Sequence, residues 1–163
     1  AASKAGEERR KPEVRSGISR ETYEPLYRVA KSIQAAESVG VAYAQFGTLL
    51  QSLAAEHSMG RDKASNEEEI ALISAYGDAL STLQDSYTLW NKKIDAGRYK
   101  WIPKGSIFLD EAVGGIAQKY GIPIETNEEP VMWSSISEDV IQTIWIRADG
   151  QLSVAHGLYL KAQ

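Results

Sequence analysis

The side chains that could do acid–base chemistry in this chain include two carboxylates, Glu37 and Asp85. They fall on two long predicted helices, at positions that would face each other if these helices are antiparallel neighbours. Two carboxylates in a dry cleft can serve as general acid and general base. A helix surface is the more common place for both, so we expect them in water. Of the three functions that we consider for this chain, an enzyme that uses carboxylates and tyrosines is therefore the least supported.

The remaining chemistry-bearing residues form no recognisable site. His57 ends the first predicted helix, where a cation suits the helix dipole, and we expect His156 to be a core or partner-bonded histidine. No Glu-x-x-His or His-Glu-x-x-His pattern is present and the chain has no cysteine, so we predict no metal site. No Gly-x-Ser-x-Gly elbow or phosphate-binding glycine loop occurs either. The sequence predicts no catalytic residue, no cofactor and no enzymatic activity.

Aromatic residues are the more unusual feature, with four Trp and eight Tyr but only two Phe. Tyr76, Tyr87 and Trp90 fall on an apolar helix stripe, which predicts that they are core residues. Trp and Tyr combine a large apolar area with a polar tip, which suits interfaces as well as half-buried packing. The candidate binding surface or pocket therefore consists of the aromatic residues in or near less regular segments. These are Tyr99, Trp101, Phe108, Trp133 and Tyr159.

The element that organises the chain is a predicted helix over residues 66–95. Its apolar stripe repeats every seven residues from Ile73 to Ile94, with a second series from Tyr76 to Trp90. Ser65 and Glu68 have capping-box spacing, and Gly97 follows as a stop. The sequence thus specifies both ends of this helix.

A second long helix is predicted from Thr22 to His57, with Gly60 as its stop, and at 1.5 Å per residue it would run about 54 Å. The short polar segment HSMGRDKAS then makes the two helices an antiparallel hairpin. With the turn near Gly60, facing residues have numbers that sum to about 124. This register places Gly47 near Tyr76 or Gly77, and Gly40 near Leu83 or Tyr87, so that glycines accept bulky side chains.

The C-terminal third is less regular. We predict a connector after Gly97, a short helix over residues 106–120 that stops at Gly121, and then an extended segment. Residues 136–162 fit a helix with a Ser135–Glu138 capping box, and they also fit a β-hairpin turning at Asp149-Gly150. We favour the helix, because the long hairpin needs another long partner.

These patterns predict an all-α fold, an elongated helical bundle built on a long antiparallel αα-hairpin with a less regular C-terminal third. The alternative is an α+β fold with a small C-terminal β-hairpin. Residues 1–18, which are small and charged, are expected to form a flexible N-terminal arm, and residues 19–163 a single helical domain.

Net charge and hydropathy limit the classes of partner and the cellular location that we expect for this protein. A net charge of −4 and a pI near 5.3 argue against nucleic acid, and no apolar run approaches the roughly 20 residues of a transmembrane segment. The chain starts at Ala1, as a trimmed chain or a mature exported protein would. We favour an exported or periplasmic protein, with lipid tethering as one form of this, over a cytoplasmic one.

Two functions fit this reading, and neither is catalytic. The first is a helical module that binds another protein, as an adaptor, an inhibitor, an immunity-type protein or an envelope component. The alternative is a carrier for a small apolar ligand, with a pocket between the helical hairpin and residues 98–134 that Trp101, Phe108, Trp133 and Tyr43 would line. The sequence leaves the oligomeric state open.

Overall fold

A computed structural model of the protein describes residues 17–128 and 131–161. This part of the chain is a helical bundle with a small antiparallel sheet, so the predicted bundle is confirmed. All but the last two residues of the predicted N-terminal arm lie outside the described residues. In chain order the elements are α1 (Arg20–Val39), α2 (Tyr43–Lys63), α3 (Glu67–Ala96), β1 (Ser106–Phe108), α4 (Glu111–Tyr120), β2 (Glu125–Asn127), β3 (Trp133–Ser137) and α5 (Val140–Leu160).

Helix α3 matches the prediction closely. Its cap is Asn66 rather than Ser65: the Asn66 side chain accepts a hydrogen bond from the Glu69 amide, and the Glu69 carboxylate reaches back to the Ser65 amide at 3.1 Å. This resembles a capping box one residue later than expected, with the return bond at the residue before the cap. The predicted stripe is buried from Ile73 to Leu83 and half-buried beyond, while Ile94 at its end is 41% exposed. Its 30 residues make α3 roughly 45 Å long, which gives the bundle its length.

The prediction of one helix from Thr22 to His57 is wrong. The chain leaves the helix at Gly40, whose φ of 92° is one that L-residues rarely adopt, and re-enters a helix at Tyr43. Helix α2 folds back on α1, so that the Tyr23 hydroxyl donates to the Gly60 carbonyl at 3.2 Å. Gly60 is consequently a buried residue inside α2 and not its stop.

The α2–α3 hairpin forms as predicted, but in another register. Gly47 lies against Tyr87, where a Cβ on the glycine would be 2.9 Å from the Tyr87 hydroxyl oxygen. Gly60 lies against Ile73, and facing numbers therefore sum to about 134. The reason is that α2 continues to Lys63 and the turn comes later. Glycines do accept bulky side chains here, although Gly40 faces open space and not Leu83 or Tyr87.

The sheet replaces the start of the predicted third helix. Residues Ser106–Phe108 form β1, and the helix begins only at Glu111, with Asp110 as its cap. The strand order is β1-β3-β2, all antiparallel, with Phe108 opposite Ser135 and Asn127 opposite Trp133. Gly121 ends α4 in the left-handed conformation, as predicted.

The last segment is the helix that we favoured. Helix α5 runs through Asp149-Gly150 without a turn, and its packing against α3 is the most extensive between any two elements. The predicted Ser135–Glu138 cap is wrong, because Ser135 is a buried residue of β3 and the helix begins at Val140. No helix in the described ranges has the length and apolarity to cross a membrane.

Two apolar clusters hold these elements together. The larger joins α1, α2, α3 and the second half of α5. The smaller joins α4, the inner face of the sheet and the start of α5 to Leu89 of α3. Trp90 and Trp145 pack against both clusters, with ring centroids 5.7 Å apart. The small sheet is thereby fixed to the end of the bundle, and its outer face is left for the connector.

A candidate aromatic binding surface

Four of the five predicted site residues come together in space. We call Tyr99, Trp101, Phe108 and Trp133 the connector surface. The Trp101 ring meets Trp133 edge-on at 5.3 Å and Phe108 edge-on at 6.0 Å, whereas Phe108 and Trp133 are nearly parallel at 6.2 Å. Tyr99 extends the group at 6.3 Å from Trp101. The arrangement is a continuous set of rings, as aromatic side chains prefer.

The sheet and the connector position these rings. Phe108 pairs with Ser135, which lies two residues from Trp133, so Phe108 and Trp133 project from the same face of the sheet. The opposite face carries Ile107 and Ile136 into the core. Two turns in the connector, closed by hydrogen bonds from the Tyr99 amide to Ala96 and from the Ile102 amide to Tyr99, hold Trp101 over this outer face.

Exposure differs within the connector surface. Tyr99 is 56% exposed, Trp101 44% and Phe108 40%, whereas Trp133 is buried at 7%. The Trp133 indole Nε1 is out of contact with solvent and has no hydrogen-bond partner among the described residues. A groove of about 380 Å³ runs along the exposed rings; it is lined by Lys92, Asp95, Ala96, Tyr99, Trp101, Ile102, Phe108 and Asp110.

The rim of the connector surface is basic. Arg98, Lys100 and Lys104 are exposed and take part in no ion pair within the described ranges. In contrast, Lys92 binds Asp110 at 2.6 Å; burial acts to raise the pKa of Asp110, but the hydrogen bond and charge of Lys92 outweigh it and lower that pKa. Three cations without an ion pair among the described residues thus flank Tyr99 and Trp101 along the connector, in a protein whose net charge is −4, while Asp95 and Asp110 line the groove itself.

The fifth predicted residue, Tyr159, lies elsewhere. It is 3% exposed, stacks on Tyr27 at 4.5 Å and donates its hydroxyl to the Arg20 carbonyl. Tyr43, the other aromatic residue of the predicted pocket, stacks on Tyr87 at 4.7 Å. Both residues pack the bundle and neither belongs to the connector surface.

Both histidines have partners inside the bundle. His57 Nε2 donates to the Ile73 carbonyl at 3.0 Å. His156 lies between Tyr76, whose hydroxyl is 2.7 Å from Nδ1, and Gln34, whose Oε1 is 2.9 Å from Nε2. Because the Gln34 oxygen can only accept, Nε2 carries the proton and Nδ1 accepts from Tyr76. Burial, followed by the charge of Lys31, lowers the pKa of His156 to about 4, so the neutral ring is a core residue, as expected.

The two candidate carboxylates have different neighbours. Asp85 accepts hydrogen bonds from Lys119 at 2.7 Å and from the Tyr120 hydroxyl. Glu37 is half-buried in a cleft against α5, where burial and then the charge of Asp149 raise its pKa to about 8. The expectation that Glu37 is in water is wrong. Nor do the described residues hold any group of three or more His, Cys, Asp or Glu that could bind a metal.

Sequence reasoning missed the basic rim and the Glu37 cleft. The first has a sequence signal, since Arg98 and Lys100 alternate with Tyr99 and Trp101, and Lys104 follows soon after in the connector. The second has none, because the helix break at Gly40 is what places Glu37. No family model, curated protein or solved structure matches the chain.

Proposed function

We propose that this protein is a non-catalytic binding module whose connector surface takes an acidic, apolar segment of a partner protein. The observation that carries the proposal is the set of exposed rings of Tyr99, Trp101 and Phe108, which packing holds in place. Trp and Tyr are the residues that most often dominate binding energy at protein interfaces.

Pre-organisation favours this use of the rings. Trp101 makes ring contacts with Phe108, Trp133 and Tyr99, so little side-chain entropy is lost when a partner covers it.

Charge selects the partner. Arg98, Lys100 and Lys104 lie in the connector and form no ion pair within the described ranges, while the protein as a whole is acidic. Complementary charge raises association rates and suppresses wrong partners more than it adds affinity. An acidic stretch that also carries an apolar side chain therefore fits better than a purely apolar one.

The groove beside the rings supports a second function, a carrier for a small apolar ligand. Its volume of about 380 Å³ falls within the usual 300–1,000 Å³ of ligand sites. The pocket lies between the end of α3 and the connector, within the predicted region, although Trp133 and Tyr43 do not line it.

Affinity capture from native extract, followed by titration of the captured partner's acidic segment as a synthetic peptide, tests the first proposal. We expect Trp101→Ala to weaken peptide binding at least tenfold, as at interface hot spots, and Lys100→Glu with Lys104→Glu to slow association. Ile146→Ala, at a 74% exposed position on α5, is the matched control and should bind normally.

Three outcomes would contradict the protein-binding proposal. One is a captured partner that binds the Trp101 variant as well as the wild type. Another is binding of vesicles rich in anionic lipid in place of any protein. The third is Trp101-dependent binding of a neutral apolar probe such as 1-naphthol with no captured protein, which would favour the carrier.

A further inference from the structure

A second cleft lies where the C-terminal part of α1 approaches the start of α5. It consists of two adjoining hollows of about 520 Å³ and 180 Å³ that share Glu37, Gln142 and Trp145. Trp90 lines the larger hollow and Asp149 the smaller. Its walls are thus indole rings, an amide and carboxylates.

Glu37 is the unexplained group in this cleft. Its Oε1 is out of contact with solvent and has no hydrogen-bond donor among the described residues. A buried carboxyl oxygen without a donor is costly, and proteins normally supply one. Asp149 on α5 adds a second negative charge on the same side. What the cleft lacks is a positively charged donor.

No residue in the ranges 17–128 and 131–161 provides that donor. Among them, Lys93 is the one cationic residue that lines the larger hollow, and it is already paired with Glu138 at 3.3 Å. Asp139 adds another carboxylate at the rim. The Trp145 N–H is also committed, since it donates to the Ser86 hydroxyl at 2.9 Å. Trp145 is therefore a fixed indole in the wall of the cleft, and indole rings attract cations.

We propose that this cleft binds a small organic cation with N–H donors, an alkyl primary ammonium, between the Glu37 carboxylate and the Trp145 ring. The ammonium donates to the Glu37 oxygen that lacks a partner and offsets the Asp149 charge, while its alkyl chain lies along the indole rings. A quaternary ammonium fits less well, because it has no N–H for Glu37. This site is independent of the connector surface and of the function proposed for it.

Binding should be linked to a proton. The pKa of Glu37 is raised to about 8, first by burial and then by Asp149, so the unliganded carboxyl is mostly protonated at pH 7. An ammonium favours the ionised carboxylate, so binding at pH 7 transfers the Glu37 proton to the buffer. Affinity should rise from pH 6 to pH 8.5, because the proton no longer has to be displaced.

Isothermal titration at low salt with 1,4-diaminobutane tests the site, with 1,4-butanediol as the neutral analogue of equal length. We expect saturable one-site binding of the diamine, none of the diol, and weaker binding of tetramethylammonium. Titrations at pH 7 in phosphate and in Tris should differ in apparent enthalpy by the protons released. Glu37→Gln should weaken binding at least tenfold and abolish the proton release, and Asp149→Asn should weaken it less.

Glu21→Gln is the matched control, since Glu21 is an exposed glutamate on the same helix and its replacement changes the net charge equally. It should bind the diamine like the wild type. Equal affinity of the wild type and a Glu37→Gln variant with an unchanged circular dichroism spectrum would overturn the proposal. So would binding of Mg²⁺ but not of the diamine, or the absence of saturable binding at 10 mM diamine.

Discussion

Helix α1 has a glutamate carboxylate near each end: Glu69 of α3 lies against its start, and Glu37 is one of its own last residues. The two carboxylates differ in their hydrogen bonds. Near its start, Glu69 is 3% exposed, and its carboxylate accepts from the Ser19 amide and from both the amide and the hydroxyl of Ser65. Near its end, Glu37 has one buried oxygen with no donor among the described residues. Roughly 30 Å of helix separates the hydrogen-bonded carboxylate of Glu69 from that of Glu37, which has an oxygen without a donor.

The difference shows what makes a buried charge structural. Glu69 joins three chain segments, because Ser19 precedes α1, Ser65 follows α2, and Glu69 itself opens α3. Its donors are the Ser19 amide at the N-cap of α1, and the amide and hydroxyl of Ser65 in the turn between α2 and α3. Glu37 lies where α1 stops at Gly40, beside the first turn of α5, but no described residue donates a hydrogen bond to its buried oxygen. A carboxylate in that position adds no stability by itself. It is available to bind a ligand or to change its protonation state.

The largest expected effect is the loss of stability when Glu69 is replaced. Glu69→Ala removes the acceptor of two backbone amides and a hydroxyl in a buried corner. Loss of charge-assisted hydrogen bonds with the donors left unpaired should cost about 3 kcal/mol, or roughly 6–12 °C in melting temperature for a chain of this size. Urea denaturation measures it. A loss below about 1 kcal/mol would mean that water replaces the carboxylate.

A smaller effect is expected from overpacking near the Glu37 end. Gly47→Leu drives a side chain into Tyr87, since even a Cβ would lie 2.9 Å from its hydroxyl oxygen. We expect a loss of about 2 kcal/mol and a melting temperature several degrees lower. Gly150→Ala is the control: nothing lies within 4 Å of its added Cβ, so it should stabilise α5 by about 1 kcal/mol. Equal melting of both variants would remove this account of Gly47.

The smallest effect concerns pH. Because the folded pKa of Glu37 is raised to about 8 from an ordinary 4.5, the stability that its protonated form contributes is complete below pH 4.5 and lost as the pH rises through 8. Glu37→Gln lacks this titration. Water still screens part of the Glu37 side chain, so we discount the energy that the full pKa shift would give. Between pH 5 and pH 8.5, the free energy of unfolding of the variant should therefore rise by about 1–2 kcal/mol relative to the wild type.

Urea midpoints at several pH values measure this gain. Glu21→Gln, on the exposed side of α1, should follow the wild type at every pH. A Glu37→Gln variant whose stability runs parallel to the wild type across this range would place the Glu37 carboxyl in water, and would erase the contrast with Glu69.

The sequence predicted the parts that depend on local pattern. The α3 stripe, the α2–α3 hairpin and the Gly121 stop follow from spacing along the chain, whereas the helical state of α5 was predicted because the long hairpin needs another long partner. Four of the five aromatic candidates also proved to be neighbours, because residues in irregular segments at one end of a bundle have few other places to pack. Tyr159 did not follow, since its helix turns it toward Tyr27.

The tertiary structure decided the rest. Gly40 interrupts a pattern that is equally apolar on both sides, so periodicity cannot distinguish a break there from a glycine that fits inside a helix, as Gly47 does. Strand β1 reads locally like the first turn of α4, and only its pairing with β3 makes it a strand. The Glu37 cleft depends on two features of the tertiary structure. The helix break at Gly40 ends α1 beside α5, and long-range packing alone determines which side chains meet there. Local pattern fixes which face of an element is buried, whereas contacts between distant segments fix what that face meets.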